Sequence, residues 1–146
     1  MVGDNAFENC VSLTDIKMPN SITSIGELAF KNCSSLISVT IPDNVTSIGS
    51  DAFYGCTGLT SIPNSVTIIG DYAFYGCTGL TSIVIPNSVT ELYQVFVGCI
   101  GLTTIEIPNS VEYIAPYSFA ECKSLENVII HEGIEEIDDV AFLGCE

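Results

Sequence analysis

The sequence predicts a repeat solenoid, in which each repeat adds one strand to a parallel β-sheet on the concave face of a superhelix. The first observation is that the cysteines recur at intervals of 21 to 23 residues along the 146-residue chain. The second is that each of the seven Phe lies three residues before one of the seven Cys. The third is a short, β-branched, proline-closed segment that follows most cysteines, which is typical of a strand. A fixed period of this length indicates stacked units with a shared core.

The unit that ends at Cys56 illustrates the elements of one repeat. The segment from Leu36 to Ile41 is short, rich in β-branched residues and closed by Pro42, which predicts a strand whose residues 38–41 alternate between outward and inward. Val45 and Ile48 form a second inward-facing pair after a turn. Residues 52–56 place Ala, Phe and Cys at helical spacing, which predicts one helical turn with its apolar side inward. Short strands and helical turns are therefore expected on the convex side.

Two repeats are shorter than the others. The strand between Leu59 and Pro63 lacks two residues, and removing two residues preserves the alternation of inward and outward side chains. Ile62 should therefore still face the core. The second deletion, of one residue, falls near Leu92 and Tyr93 in the connector, where alternation does not matter. We expect the stack to accommodate both.

The outward-facing strand residues are the candidate binding surface, because solenoids commonly bind partners through the concave sheet. The face is small and polar in the middle and becomes acidic and apolar toward its C-terminal end. Its members are Asp15, Lys17, Ser38, Thr40, Ser61, Ser82, Val84, Thr104, Glu106, Asn127 and Ile129.

Charge restricts the class of partner. Three Lys/Arg against 18 Asp/Glu give a net charge of -15, so the chain lacks the basic residues that nucleic acid or an anionic membrane surface requires. No apolar run reaches the roughly 18 residues of a membrane helix, so direct membrane insertion is not expected. Asp4 and Glu8 near the N-terminus argue against a signal peptide in this chain. A protein partner, of basic character, is the remaining expectation.

No motif predicts a catalytic centre, a metal site or a cofactor. The cysteines lack the close pairs of a zinc site, so a ladder of buried thiols is favoured, with disulfides as the alternative. His131, the single His, has no nucleophile placed beside it and is interpreted as a turn residue at a strand end. The acidic run at 132–139 lacks the spacing of a calcium loop and is interpreted as a solvated edge, with a cation site as the alternative.

Six Tyr are expected mainly on the convex side. Tyr54 and Tyr75 follow equivalent Phe residues, and Tyr72 and Tyr117 share another position. Tyrosine is enriched at contact surfaces, but surface rings that cover the turns are the favoured interpretation.

The repeated pattern L-x-x-I-x-I-P-x-x-V-x-x-I-G-x-x-A-F-x-x-C resembles the BspA-like class of leucine-rich repeats over nearly the whole chain. Ala115 and Asp138 depart from it at the Gly position, and His131 replaces the Pro at the strand end. The resemblance implies a right-handed leucine-rich-repeat superhelix used for adhesion, and no catalysis. Members of the family are typically surface or secreted proteins.

Together these expectations describe a non-enzymatic protein-binding scaffold, part of a cell-surface or secreted adhesin-like protein. The alternative is an intracellular interaction adaptor or a structural spacer built from the same repeats. Residues 1–146 form a single domain of about six repeats. Neither end carries the polar capping repeat that solenoids need, so a fragment of a longer protein is expected.

Overall fold

The computed structural model describes the backbone of residues 1–146 and every side chain except that of Ser38. The described backbone contains ten short strands and no helix. They are β1 (Asp15–Lys17), β2 (Ser24–Ile25), β3 (Ser38–Thr40), β4 (Ser47–Ile48), β5 (Ile68–Ile69), β6 (Ser82–Val84), β7 (Thr104–Ile107), β8 (Tyr113–Ile114), β9 (Asn127–Ile130) and β10 (Glu136–Ile137).

Every strand pair is parallel and joins equivalent residues of successive repeats. Strands β1 and β3 pair with Ile16 opposite Val39, and β6, β7 and β9 pair with Ile83, Ile105 and Val128 in one row. The shorter strands form two further ladders, β2-β4-β5 and β8-β10. Parallel pairing is possible because the remainder of each repeat returns the chain to the start of the next strand. The predicted parallel solenoid is therefore confirmed, whereas its handedness and curvature stay predictions.

The core is one continuous stack of the apolar positions of each repeat. The rings of consecutive Phe residues, from Phe7 to Phe142, lie 5.1 to 5.9 Å apart and within 13° of parallel. The five inner Phe side chains are fully buried. Burial of a large apolar side chain contributes roughly 1.5–3 kcal/mol, so this column is a major source of stability. The predicted inward position of Ile62 is confirmed, since it is 7% exposed.

The segment that carries Phe and Cys forms consecutive reverse turns, and the expected helical turn is wrong. The residue before each Cys and, in six of the seven repeats, the residue two before Phe have positive φ, as Asp51 (54°) and Gly55 (71°) illustrate. Two left-handed residues four positions apart exclude a right-handed helix. The intervening N–H groups donate locally, from Cys56 to Phe53 for example. The expectation that the apolar side faces inward is confirmed.

These turns also pair with the next repeat. The N–H groups of Asp51, Phe53 and Gly55 donate to carbonyls of the following repeat at 2.7–2.9 Å. Alternate N–H groups thus bond along the stack, while those between them close the local turns. Each repeat therefore joins its neighbour through backbone hydrogen bonds on the turn side as well as on the strand side.

Each strand ladder is interrupted at one of the two short repeats. The ladder of longer strands stops between β3 and β6, where only an isolated bridge joins Val39 to Leu59. The ladder of two-residue strands stops after β5, and in the described backbone Leu92 bridges forward to Ile114 alone. The deletion near Leu92 therefore interrupts the ladder of two-residue strands, although the sequence places it in a connector.

Within residues 1–146, the last repeat packs against the repeat that precedes it. Its inward positions Val128, Ile130 and Ile137 are 39%, 43% and 46% exposed, whereas Ile105 and Ile107 one repeat earlier are fully buried. The burial of each apolar position therefore depends on a repeat on both sides, as expected of a linear stack.

Candidate functional site

The predicted outward residues lie on one surface, here called the strand face. It consists of the outward side chains of β1, β3, β6, β7 and β9 together with Ser61. Strand alternation places these side chains opposite the core, because successive residues of a strand point to opposite sides. The described members are exposed or half-buried: Asp15, Lys17, Thr40, Ser61, Ser82, Val84, Thr104, Glu106, Asn127 and Ile129. The side chain of Ser38, the eleventh predicted residue, lies outside the described part of the chain.

The strand register arranges the C-terminal half of the strand face in two rows. One row holds Ser82, Thr104 and Asn127, and the other holds Val84, Glu106 and Ile129. Neighbouring strands lie about 4.8 Å apart, so the members of a row are in contact distance of one another.

The N-terminal half of the strand face is a separate group. Asp15 and Lys17 flank Ile16 on β1, and Lys17 lies opposite Thr40. Since the ladder is interrupted between β3 and β6, the described strand pairs do not connect this group to the C-terminal rows. Ser61 lies in the interruption itself, outside any strand.

A hydrogen-bonded pair formed by Glu106 of β7 and His131, the residue that follows β9, is the feature that sequence reasoning missed. The His131 ring nitrogen Nε2 lies 2.8 Å from Glu106 Oε1, and both side chains are more than two-fifths exposed. His131 occupies the position at which the earlier repeats carry Pro, and its N–H donates to the carbonyl of Ile107, which a proline cannot do. The interpretation of His131 as a plain turn residue is therefore incomplete. The sequence contains a signal for this contact. Glu106 is equivalent to Ile129 of the next repeat, and His131 lies two residues after Ile129, so strand alternation puts both side chains on the same side.

A cavity of about 540 Å³ opens beside this hydrogen-bonded pair. Its polar lining comes from asparagines that follow the proline of each repeat, together with the acidic residue that replaces them in the last repeat. Buried Pro86 and Pro108 and the aliphatic Val84 and Ile85 form the apolar part of its lining. Its polar residues are Asn64, Asn87, Glu106, Asn109, His131 and Glu132. The lining is thus contributed by successive repeats and carries its carboxylates on Glu106 and Glu132.

The seven cysteines are free and form one column, with one Cys from each repeat. Those from Cys33 to Cys122 are buried, Cys145 is half-buried and Cys10 is exposed, which confirms the predicted thiol ladder. Each thiol after the first donates a hydrogen bond to the carbonyl of the Phe one repeat earlier, at 3.1–3.2 Å. Burial raises the pKa of the Cys56 thiol to about 12, which keeps it in the neutral, donating form. The sequence had not predicted this bond.

The repeat pattern, the register and the Phe and Cys columns together define a family. A model of the BspA type leucine rich repeat region matches residues 1–94 and 59–146, with six copies. The chain belongs to this family. The resemblance inferred from the sequence is thereby confirmed. No curated protein sequence gives a significant match to the chain.

Solved structures of leucine-rich repeat proteins resemble the chain. A leucine-rich repeat protein from Bacteroides ovatus is 37% identical with a TM-score of 0.88, over 94% of this chain and 37% of that one. The T. pallidum leucine-rich repeat protein is 30% identical with a TM-score of 0.79, over 96% and 72% of the two chains. A leucine rich cell surface protein from Faecalibacterium prausnitzii is 28% identical with a TM-score of 0.61, over 99% and 54%. The chain therefore spans between about a third and three quarters of these structures.

The tyrosines of these BspA-type repeats form a second surface on the turn side. The rings of Tyr54 and Tyr75 stack at 4.3 Å, and the Lys31 ammonium lies 4.6 Å from the Tyr54 ring centre. Lys31 also pairs with Asp51 at 3.1 Å. Burial and the neighbouring Tyr75 raise the pKa of Tyr54. The two rings contact each other, and the Lys31 ammonium contacts both the Tyr54 ring and Asp51. These are the contacts expected of surface side chains that cover the turns.

The acidic C-terminal segment shows no arrangement of ligands. Asp138 accepts hydrogen bonds from the Tyr113 hydroxyl at 3.2 Å and from the Val140 N–H at 3.3 Å. Among the described side chains, no group of three or more His, Cys, Asp or Glu is placed to hold a metal ion. Nor does the described backbone include a helix with the length and apolarity to cross a bilayer.

Proposed function

We propose that the chain is a non-enzymatic protein-binding scaffold whose strand face binds a basic protein, and that it acts as part of a cell-surface or secreted adhesin-like protein. The observation that carries the proposal is the C-terminal half of the strand face. There the Val84, Glu106 and Ile129 row combines a carboxylate with two aliphatic side chains that are 58% and 46% exposed. Exposed aliphatic side chains in a polar surround are typical of contact surfaces.

Charge supports a basic partner. The chain carries a net charge of -15, and Glu126 adds a second carboxylate at the start of β9, one strand from Glu106. Such a field accelerates the association of a cationic protein and slows that of an anionic one. The leucine-rich repeat fold is typically a scaffold, and the tyrosine cluster, whose groups satisfy one another, is the less suitable contact surface. The surface location rests on the family and on the F. prausnitzii relative, which is described as a cell surface protein.

The binding experiment is biolayer interferometry of the immobilised chain against a panel of basic and acidic extracellular proteins. We expect basic proteins to associate, and we expect the association rate to fall as salt rises, because exposed charges are screened beyond ~10 Å at 0.1 M. Charge reversal at both Glu106 and Glu126 should weaken capture, whereas Tyr54→Ala with Tyr75→Ala should not. The opposite pattern would move the site to the tyrosine surface.

Location needs its own measurement. Antibody labelling and protease treatment of intact source cells should reach the protein if it is exposed on the surface. Labelling only after lysis, together with no binding by the panel, would favour the intracellular adaptor or spacer.

A further inference from the structure

We propose that the cavity beside Glu106 receives an arginine side chain of the partner protein. The inference rests on the proposed function, because it names the group through which a basic protein would engage the strand face. The Glu106 cavity is defined by Val84, Asn87, Glu106, Asn109, His131 and Glu132. Its volume of about 540 Å³ lies within the range of ~300–1,000 Å³ of ligand pockets.

The charge of the cavity selects a cation. Glu106 and Glu132 contribute two carboxylates, and of the residues described as lining the cavity none is Lys or Arg. The three Lys of the chain lie elsewhere, at Lys17, Lys31 and Lys123. A cationic side chain that enters the cavity would therefore meet two carboxylates that no Lys or Arg of the described lining neutralises.

The surroundings of Glu106 select a cation with an aliphatic stem. The strand register places Val84 on one side of Glu106 and Ile129 on the other, and both are largely exposed. Long basic side chains bury their methylene groups on apolar surface while the charged group reaches a polar partner. Val84, which lines the cavity, can contact the stem while Glu106 receives the charge.

The orientation of Glu106 selects a guanidinium over an ammonium. His131 holds Oε1 at 2.8 Å, and among the described hydrogen bonds Oε2 has no protein partner. A guanidinium presents several N–H donors in one plane and can bond to Oε2 and to further acceptors together. The side-chain amides of Asn87 and Asn109 and the Glu132 carboxylate provide such acceptors on the cavity wall. An ammonium lacks this planar array of donors.

The test is a titration of the ¹⁵N-labelled chain with N-acetyl-arginine amide, followed by NMR. We expect saturable shifts confined to the residues around Glu106, with a dissociation constant on the order of millimolar because one side chain supplies all the contacts. N-acetyl-citrulline amide has the same shape without the charge and should produce no saturable shift. Equal binding of the citrulline probe, or shifts centred elsewhere on the chain, would overturn the proposal. Equal affinity for N-acetyl-lysine amide would overturn the selection of guanidinium.

Two matched variants test whether binding of the arginine probe depends on the Glu106 cavity. Glu106→Gln keeps the size of the side chain and should weaken binding of the arginine probe at least about tenfold, because a charge-assisted hydrogen bond is lost. Glu126→Gln removes an exposed carboxylate that lies just before β9 and outside the cavity, and it should retain binding. Equal losses in the two variants would show that general charge, and not the cavity, attracts the probe. Unchanged thermal unfolding of both variants verifies that each is folded.

The probe separates this proposal from the proposed function. If basic proteins still bind through Glu106 and Glu126 while the arginine probe does not, the cavity is not an arginine site and the scaffold function stands. If the probe binds and the protein panel does not, the cavity is an arginine site and the proposed partner class is wrong.

Discussion

The two sides of each repeat differ in how they tolerate irregular length. On the turn side, the Phe rings stack without interruption from Phe7 to Phe142, and every thiol after Cys10 bonds to the preceding repeat. On the strand side, each of the two ladders is interrupted where one repeat is short. The turn side therefore maintains the stack continuously, and the strand side absorbs variation.

The reason lies in the spacing of the two columns. Phe and Cys are three residues apart in every repeat, so their stacking and hydrogen bonding never depend on a change of length. The deletions fall between Leu59 and Pro63 and after Leu92, outside that constant segment. A surface that tolerates local changes in length without losing the stack is well suited to variable binding, which supports the proposed site on the strand side.

The largest expected effect tests the turn side directly. Phe74→Ala should lower the free energy of unfolding by ~3–5 kcal/mol, because it removes a fully buried ring between two stacked rings beside the interrupted strand ladder. Chemical denaturation followed by circular dichroism measures the loss, and a reduced denaturant slope would show lost cooperativity.

The matched control is Phe7→Ala at the end of the stack. Phe7 is half-buried and stacks on Phe30 alone, so its replacement should cost less than half as much. Equal losses in the two variants would contradict a linear stack in which each repeat depends on its neighbours.

A smaller effect is expected from the thiol column. Cys77→Ala removes a buried sulfur and the hydrogen bond to the Phe53 carbonyl at 3.1 Å, and should cost about 1–2 kcal/mol. Cys10→Ala removes an exposed thiol and should change stability by less than about 0.5 kcal/mol. Denaturant midpoints of the two variants give the comparison, and an equal shift would show that the thiol bonds do not contribute.

Alkaline pH should weaken the same column. Burial, and then the neighbouring thiol of Cys33, raise the pKa of Cys56 from 9.0 to about 12, and Cys122 is raised equally. Between these two values the unfolded chain releases protons that the folded chain retains, so stability is full below pH 9 and falls as pH rises.

The loss is measurable for one thiol. At pH 10 each such thiol should cost about 1.4 kcal/mol, and Cys56→Ala should therefore lose less stability between pH 8 and pH 10 than the unmodified chain. Cys10→Ala serves as the control and should retain the original pH dependence. If the free energy of unfolding falls equally with pH in the unmodified chain and in Cys56→Ala, the Cys56 thiol does not have a higher pKa in the folded state than in the unfolded state.

Most of the fold could be predicted from the sequence because the same residue pattern recurs in every repeat. A single Phe or Ile is ambiguous, but seven equivalent Phe residues define one stacked column. The reverse turns were not predictable from spacing alone, since Ala, Phe and Cys have the same apolar pattern in a helical turn. Gly or Asn precedes Cys in six of the seven repeats, and both favour the left-handed conformation, but the position two before Phe also holds Leu28, Tyr72 and Tyr117, which do not.

The candidate site was predictable only in part. Alternation of strand residues placed Val84, Glu106 and Ile129 on the outward surface, and the structure brings them into one row. The pairing of His131 with Glu106 joins residues 25 positions apart, and it depends on the register between β7 and β9. The repeat pattern indicates which residues occupy equivalent positions in neighbouring repeats. It does not indicate which side chains at different positions form hydrogen bonds between those repeats.

The smallest expected effect comes from repairing the strand side. Inserting Thr-Ile between Ile62 and Pro63 gives the short strand the length of its neighbours and should connect β3 to β6 in one ladder. The new ladder bonds contribute roughly 0.5–1.5 kcal/mol each, but ordering two more residues costs ~1–2 kcal/mol per residue, so the terms nearly cancel. Stability should then change by less than about 1 kcal/mol, while amide exchange in β3 and β6 slows. Because the Phe and Cys columns already hold the register across this repeat, closing the ladder adds little. A gain comparable to the loss in Phe74→Ala would instead show that the strands determine the stability of the stack as much as the rings do.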